Sequence, residues 1–295
     1  MKIETEEIFC KILEQKGVKL FVKRIDQIHK FVSGNKWYKL KYNFIEAKRK
    51  GSRLILTFGG AYSNHILATA YLAKKEGFRS VGVIRGQEIL PLNPTLCVAK
   101  ENGMDFYYLS RSDYRLKDEV DFLNKLKIQF GDFYLIPEGG TNNFAIKGAS
   151  EILDFKDTQD YICCAVGTGG TIAGVINSKR NNQRVVGFPV IKGDGFLQNN
   201  VKSFAKKRGW VFINDYIFGG YAKLTNELVC FIDDFDKAHN IQLDVVYTGK
   251  MMFGIMDLVS KDYFPRGSTI LAIHTGGLQG NKGMNERFNI QLPVY

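Results

Sequence analysis

At 295 residues, 45% hydrophobic and 24% charged, the chain has the composition of an ordinary globular protein, long enough to bury one large core or two moderate ones. It holds no apolar run long enough for a helical membrane span, and its start, MKIETEEIFC, is too acidic and polar for a secretory signal, so the cytoplasm is the expected compartment. The net charge of +11 is dispersed along the chain with no aromatic-studded basic segment, which argues against nucleic acid and for small anionic ligands.

The first segment of chemical interest is FVSGNKWYKLKYN. Lys36 follows Gly34 and Asn35 and precedes Trp37 and Tyr38. A lysine that forms a Schiff base must lose its proton at some stage, so it works best partly buried, and the two aromatics are expected to supply that setting. Taken alone, one lysine among 41 basic residues is usually a surface residue. The basic stretch over 39–50 has helical spacing and reads as a solvated helix face with one cofactor contact.

Beyond it, apolar runs alternate with helical patterns. LILTFGG precedes a helix over 65–77, SVGVIRG precedes a helix ending near Gly103, and DFYYLS follows. After FYLIPEGG come a helix start near Ile146, then YICCAVGTGG with a helix behind it, RVVGFPVI and TILAIHTGG. Such alternation predicts parallel βαβ units in an α/β fold. A new strand series opens after Gly140, FINDYIFGGYAKL reads as a strand and a loop, and helices are expected over 227–239 and 252–261. Cys163 and Cys164 sit in an apolar strand as core residues. With Cys10, Cys97 and Cys230 they form an odd, scattered set that argues for reduced thiols.

Several strands end in glycine pairs, and ligands of open α/β sheets bind at the carboxyl ends of strands. AVGTGGTIAGVI places Gly167, Thr168, Gly169, Gly170 and Thr171 between a buried strand and a helix, where exposed N–H groups and the helix dipole suit a phosphate. A plain tight turn would also account for these glycines. Ile172 stands where a dinucleotide fingerprint needs its third glycine, and no acidic residue follows at the expected distance, so a single phosphate fits better than a pyrophosphate. FGGAYSNHILATAYLA offers Ser63, Asn64 and His65 at a helix start. The plain reading is a well-capped helix, and the functional one is a receiver for an anionic oxygen.

Taken together and in order, these segments resemble the pyridoxal-phosphate enzymes of the tryptophan-synthase β-like fold, known as fold type II. They are most similar to the branch containing D-cysteine desulfhydrase and 1-aminocyclopropane-1-carboxylate (ACC) deaminase. The branch's GNK-x-x-KL motif is Gly34, Asn35, Lys36, Lys39 and Leu40, its SNH motif is Ser63 to His65, and its phosphate loop runs from Gly167 to Thr171. GGYAKL supplies Tyr221, VVYTGKMMFGI supplies Tyr247 and Thr248, and AIHTGG supplies Thr275.

The resemblance spans nearly the whole chain and implies two open, twisted, mostly parallel sheets flanked by helices. It also implies a small α/β domain over 45–143, a large cofactor-binding domain from 1–44 and 144–295, and a homodimer. Pyridoxal 5'-phosphate would be carried on Lys36, which would also act as the base at the substrate Cα. Lys39 and the glycine loop would hold the phosphate, and Asn64 the phenolic oxygen. Thr248 and Thr275 would lie at the pyridine ring, Ser63, Asn64 and His65 would receive the carboxylate of a small amino acid, and Tyr221 and Tyr247 would flank substrate and ring. No metal is expected.

The implied reaction is αβ-elimination from D-cysteine or a related β-substituted D-amino acid, giving pyruvate, ammonia and sulfide. Its nearest rival is opening of ACC to 2-oxobutanoate and ammonia, for which family members carry Glu and Leu where this chain has Thr248 and Thr275. Two other classes are a non-catalytic pyridoxal-phosphate binding protein and a nicotinamide-dependent dehydrogenase, the latter opposed by the failed glycine fingerprint. The chain departs from the branch at Ala61 and Tyr62, where Ile-Gln is common, at Ile66 and Leu67, where an arginine is frequent, and at Trp37 and Tyr38. The segment between Gly193 and Gly219 is also short, so the substrate pocket is the part least constrained by the resemblance.

Overall fold

The apolar runs LILTFGG, SVGVIRG, FYLIPEGG, YICCAVGTGG and TILAIHTGG each supply a strand of a parallel sheet, and two such sheets form. The computed structural model describes residues 3–294. The chain opens with β1 (Thr5–Ile8), α1 (Lys11–Lys16), β2 (Lys19–Lys23) and α2 (Asn35–Arg49). Next come β3 (Leu54–Gly60), α3 (Asn64–Glu76), β4 (Arg79–Arg85), α4 (Pro94–Glu101), β5 (Met104–Leu109), α5 (Val120–Phe130) and β6 (Tyr134–Ile136). Then follow α6 (Asn143–Ala149), β7 (Tyr161–Val166), α7 (Gly170–Ser178), β8 (Arg184–Pro189), α8 (Asp194–Phe204) and β9 (Trp210–Phe212). The last elements are α9 (Asn226–His239), α10 (Thr248–Ser260), β10 (Thr269–Ile273) and α11 (Gln279–Phe288).

The smaller sheet has the order β5-β4-β3-β6 and is parallel throughout. The larger has the order β1-β2-β10-β7-β8-β9, and within it only β1 runs antiparallel to its neighbour. Strands covered by helices on both faces are apolar at nearly every position, which is why LILTFGG and YICCAV show no alternation. Successive strand residues still point to opposite faces. Cys163 therefore packs with Met252 and Ile255 on one side of the large sheet, and Cys164 with Ile172 and Val175 on the other. All five cysteines are free thiols. Among the described residues no helix is long and apolar enough to cross a membrane.

Two expectations about element bounds change. The strand expected within FINDYIFGGYAKL stops at Phe212, and the residues beyond form a loop in which Phe218, Gly219, Gly220 and Ala222 have positive φ, a conformation no strand can contain. Helix α10 starts at Thr248, four residues before the expected 252. Asp244 causes this, because its carboxylate accepts from the N–H groups of Val246, Tyr247 and Thr248 at 3.0, 2.9 and 2.8 Å. The basic face of α2 also divides. Lys41, Lys48 and Arg49 pair at the surface with Glu151, Glu76 and Glu46, whereas Lys39 turns inward and is 2% exposed.

Candidate active site

Helix α2 begins where the chain crosses the end of β10. Gly34 has φ 61°, and a Cβ there would lie 2.0 Å from the Thr275 carbonyl oxygen, so only glycine permits the approach. The next residue uses it, since the Asn35 N–H donates to that carbonyl at 3.2 Å. Lys36 is thereby aimed into a cavity of about 450 Å³ lined from both sheets. Its Nζ donates to Asn35 Oδ1 at 2.9 Å, and the Asn35 amide nitrogen donates to Thr171 Oγ1 at 2.8 Å, which ties the lysine to the glycine loop.

Burial lowers the Lys36 pKa to about 8, against the opposing pull of Asp244 and Cys164. The aromatics following it in sequence are not the cause. Adjacent residues on a helix do not share a face. Trp37 stacks on His29 at 5.8 Å and lines a separate outer groove with Phe44 and Ile45, while Tyr38 joins the core beneath the large sheet. The cavity walls desolvate the amine.

At one end of the cavity Gly167 to Thr171 connect β7 to α7, with Gly169 at φ 90° just before the helix. Lys39 Nζ reaches the same place. It donates to Thr141 Oγ1 at 3.1 Å, and no carboxylate pairs with it among the described residues. Burial first and Lys36 second hold its pKa well below the usual lysine range. A buried ammonium without a counter-ion is unfavourable, so the site is matched to a bound anion. Gly170 leaves room for the lysine, since a Cβ there would meet Thr141 Oγ1 at 2.9 Å and Lys39 Nζ at 3.1 Å. Asn200 braces the loop by donating to the Thr168 carbonyl at 2.8 Å. The donor set fits one phosphate.

At the other end Ser63 caps α3, its Oγ accepting from the N–H groups of His65 and Ile66 at 3.2 and 3.4 Å. The plain capping reading therefore holds, and the hydroxyl proton remains available to a ligand. Asn64 Oδ1 accepts from Gln279 at 2.7 Å, which leaves the amide N–H groups as its donors. His65 changes role. Thr57 gives its single proton to the Ile136 carbonyl at 2.8 Å, so His65 Nε2, also 2.8 Å from Thr57 Oγ1, must be the donor in that contact. Nδ1 is then a bare acceptor with no donor, and burial with Lys36 and Lys39 nearby keeps the ring neutral. Such a ring cannot donate to a carboxylate, so His65 is corrected from a carboxylate receiver to part of the wall.

Tyr221 and Tyr247 meet edge to face with hydroxyls 3.4 Å apart; Tyr221 remains 40% exposed, while burial raises the pKa of Tyr247. Tyr247 lies against Gly167, where a Cβ would come within 3.0 Å of its ring. The two threonines separate. Thr275 lines the cavity, whereas Thr248 is fully buried outside its wall, donating to Asp244 Oδ1 at 2.8 Å and accepting the Asp244 N–H at 2.9 Å. Its hydroxyl has no proton left for a ligand, so it is corrected to a helix-start residue. The sequence reading missed Thr141 and Asp244, as well as Arg85 and Glu138 at the cavity mouth. Asp244 gave no capping signal, because it stands four positions before the helix and Tyr247 occupies the cap position.

Known proteins of similar sequence and fold identify the family. The family described as pyridoxal-phosphate dependent enzyme matches residues 5–276. A Thermotoga maritima protein provisionally named as a 1-aminocyclopropane-1-carboxylate deaminase is 33% identical, over 92% of this chain and 93% of its own. The bifunctional D-cysteine desulfhydrase/1-aminocyclopropane-1-carboxylate deaminase of Arabidopsis thaliana mitochondria is 30% identical, over 90% of this chain and 73% of its own. The crystal structure of an ACC deaminase homologue superposes with a TM-score of 0.84 at 28% identity, covering 98% of this chain and 93% of that one.

Proposed function

This chain belongs to the family of pyridoxal-phosphate dependent enzymes, and from that premise we propose that it eliminates the β-substituent of a small D-amino acid. With D-cysteine and water as reactants the products are pyruvate, ammonia and hydrogen sulfide. The observation that carries this reading is the placement of Lys36, half-buried and aimed into the cavity beside the glycine loop, where desolvation lowers its pKa to about 8 and favours a neutral fraction near neutral pH. When bound, the cofactor supplies an electron sink for charge developing at the substrate Cα. Lys36 would carry the cofactor, and its amine, once released, is placed to move a proton at the substrate Cα. Lys39 and the loop from Gly167 to Thr171 would hold the phosphate, and the Asn64 amide would serve the phenolic oxygen.

The Ser63 hydroxyl and the start of α3 receive the substrate carboxylate, with Tyr221 and Tyr247 at its flank. Thr275, which lines the cavity, would offer the pyridine ring a neutral hydroxyl, and Thr248, whose hydroxyl is held by Asp244, supplies no charge either. Asp244, the carboxylate near Lys36, is occupied by N–H groups and lies outside the wall. A neutral partner leaves the electron sink weaker than a carboxylate would, which suits a good leaving group such as sulfide better than a carbon ring. Opening of ACC is kept as the second reading because the Thermotoga maritima and Arabidopsis thaliana relatives carry that activity in their names.

The reading includes a small domain over 45–143 and a large one from 1–44 and 144–295, supported by the separation of their strands into two sheets. It also includes a cytoplasmic homodimer, on the strength of the family resemblance and the free thiols. Light scattering on the purified protein tests the dimer.

Borohydride reduction should fix the cofactor on the peptide containing Lys36, and Lys36→Ala should lower turnover by about a thousandfold or more. In parallel assays with D-cysteine, L-cysteine, D-serine and ACC, pyruvate is expected from D-cysteine and negligible 2-oxobutanoate from ACC. Efficient turnover of ACC with none of D-cysteine would replace the first reading by the second. An adduct on another lysine would remove Lys36 from the mechanism.

A further inference from the structure

Lys250, on α10, is completely buried, and among the described residues no carboxylate lies within ion-pairing distance of it. Its Nζ donates to two backbone carbonyls, Ile217 at 2.8 Å and Gly220 at 2.7 Å. These belong to the loop after β9, whose backbone is left-handed at Phe218 (φ 51°), Gly219 (φ 83°), Gly220 (φ 124°) and Ala222 (φ 52°). Two of those residues are not glycine, and side chains disfavour that region, so the loop needs outside support to keep its path.

The first half of the loop has other fastenings. Tyr216 donates to Asp257 at 2.7 Å, and Phe218 packs edge-on against Phe253 at 5.0 Å. Lys250 instead grips the carbonyl immediately before Tyr221. The same helix start carries Tyr247, whose hydroxyl stands 3.4 Å from that of Tyr221. One turn of α10 thus fixes Tyr247 through the chain and Tyr221 through the lysine.

We infer that Lys250 is a positioning residue for Tyr221, acting from outside the cavity by clamping the 217–220 backbone so that the tyrosine faces the substrate beside Tyr247. This rests on the reading that Tyr221 flanks the substrate. A methionine of similar length would fill the space and leave both carbonyls without a donor, freeing the loop without opening a void.

The test is a double-mutant cycle on the holoenzyme with Lys250→Met, Tyr221→Phe and the pair, read by kcat, KM, cofactor absorbance and chymotrypsin cleavage after Phe218 and Tyr221. Lys250→Met should keep the cofactor absorbance, lower kcat about tenfold to a hundredfold, and speed cleavage at the two sites by loosening their backbone. The double variant should be no slower than the slower single, because both changes act on one side chain. The inference is overturned if the two losses multiply, or if Lys250→Met keeps kcat within about twofold of the parent. If Tyr221→Phe is itself silent, the catalytic reading of Tyr221 fails. The clamp is then judged on cleavage, and unchanged protection in Lys250→Met overturns it. Should Lys250→Met not fold, Lys250→Gln, which loses the charge and shortens the reach, takes its place in the cycle.

Discussion

At the phosphate end of the cavity, neighbouring groups hold one another: Lys39 on Thr141, Asn35 on Thr171, and Asn200 on the Thr168 carbonyl. Glycines there are required by contact, because an added Cβ at Gly167 or Gly170 meets a side chain of the site within 3.0 Å. The substrate end is assembled from separate loops. Ser63 stands on a helix cap, Tyr221 on a loop clamped from behind, and Arg85 and Glu138 at the rim. A phosphate is the same for every member of such a family, so a rigid backbone cradle serves it. The amino-acid substrate differs, and walls of independent loops let each be changed without disturbing the other end.

The comparison is sharpened first at Lys36, which joins the two ends. A neutral aldehyde offered to the apoenzyme with cyanoborohydride should label Lys36 faster as pH rises. The neutral fraction grows roughly fiftyfold from pH 6 to 8 for a group with pKa about 8. Labelling should then level off, whereas an ordinary lysine continues to gain towards pH 10.5. A midpoint near 10.5, read by mass spectrometry of the Lys36 peptide, would show that burial does not tune the amine. A smaller effect is expected at Gly170→Ala, whose methyl must displace Thr141 and Lys39. Cofactor affinity should weaken about tenfold in a fluorescence titration, with the apoenzyme's melting temperature little changed. Unchanged affinity would break the distinction between a tight end and a looser one.

The smallest effect belongs to Ser63→Ala. Loss of the cap should cost about 1 kcal/mol in denaturant unfolding. Turnover should fall more than cofactor affinity does, since the hydroxyl proton points to substrate chemistry and not to the phosphate. Equal losses in both would return Ser63 to a purely structural role.

The same contrast decides what could be read in advance. GNK, SNH and GTGGT are short contiguous motifs whose backbone geometry is set locally, so Lys36, Ser63 and the phosphate loop were legible as a pattern. Side-chain direction was not. Trp37 and Tyr38 adjoin Lys36 in sequence but turn about 100° and 200° away from it around the helix, and Thr248 and Thr275 look alike until Asp244 consumes one hydroxyl. The sheet edge was also hidden. β1, TEEI, carries charge and is partly exposed, as an unpaired edge requires, so it lacks the apolar run that marks the inner strands. Lys250 gave no signal, because its partners are carbonyls, which sequence identity does not record.

The docking of Gly34 against Thr275 also orders the events of biosynthesis. All strands of the small sheet lie within 54–136 and are made in one stretch. The pairing of β2 with β10 instead joins Leu20 to Ile270, so the platform under Lys36 must wait until β10, far along the chain, has left the ribosome. Until then the lysine is solvated, with its ordinary pKa near 10.4, and almost entirely protonated at neutral pH. A nascent chain is therefore a poor trap for cellular aldehydes, and the amine becomes reactive only when the arrival of β10 closes the cavity around it.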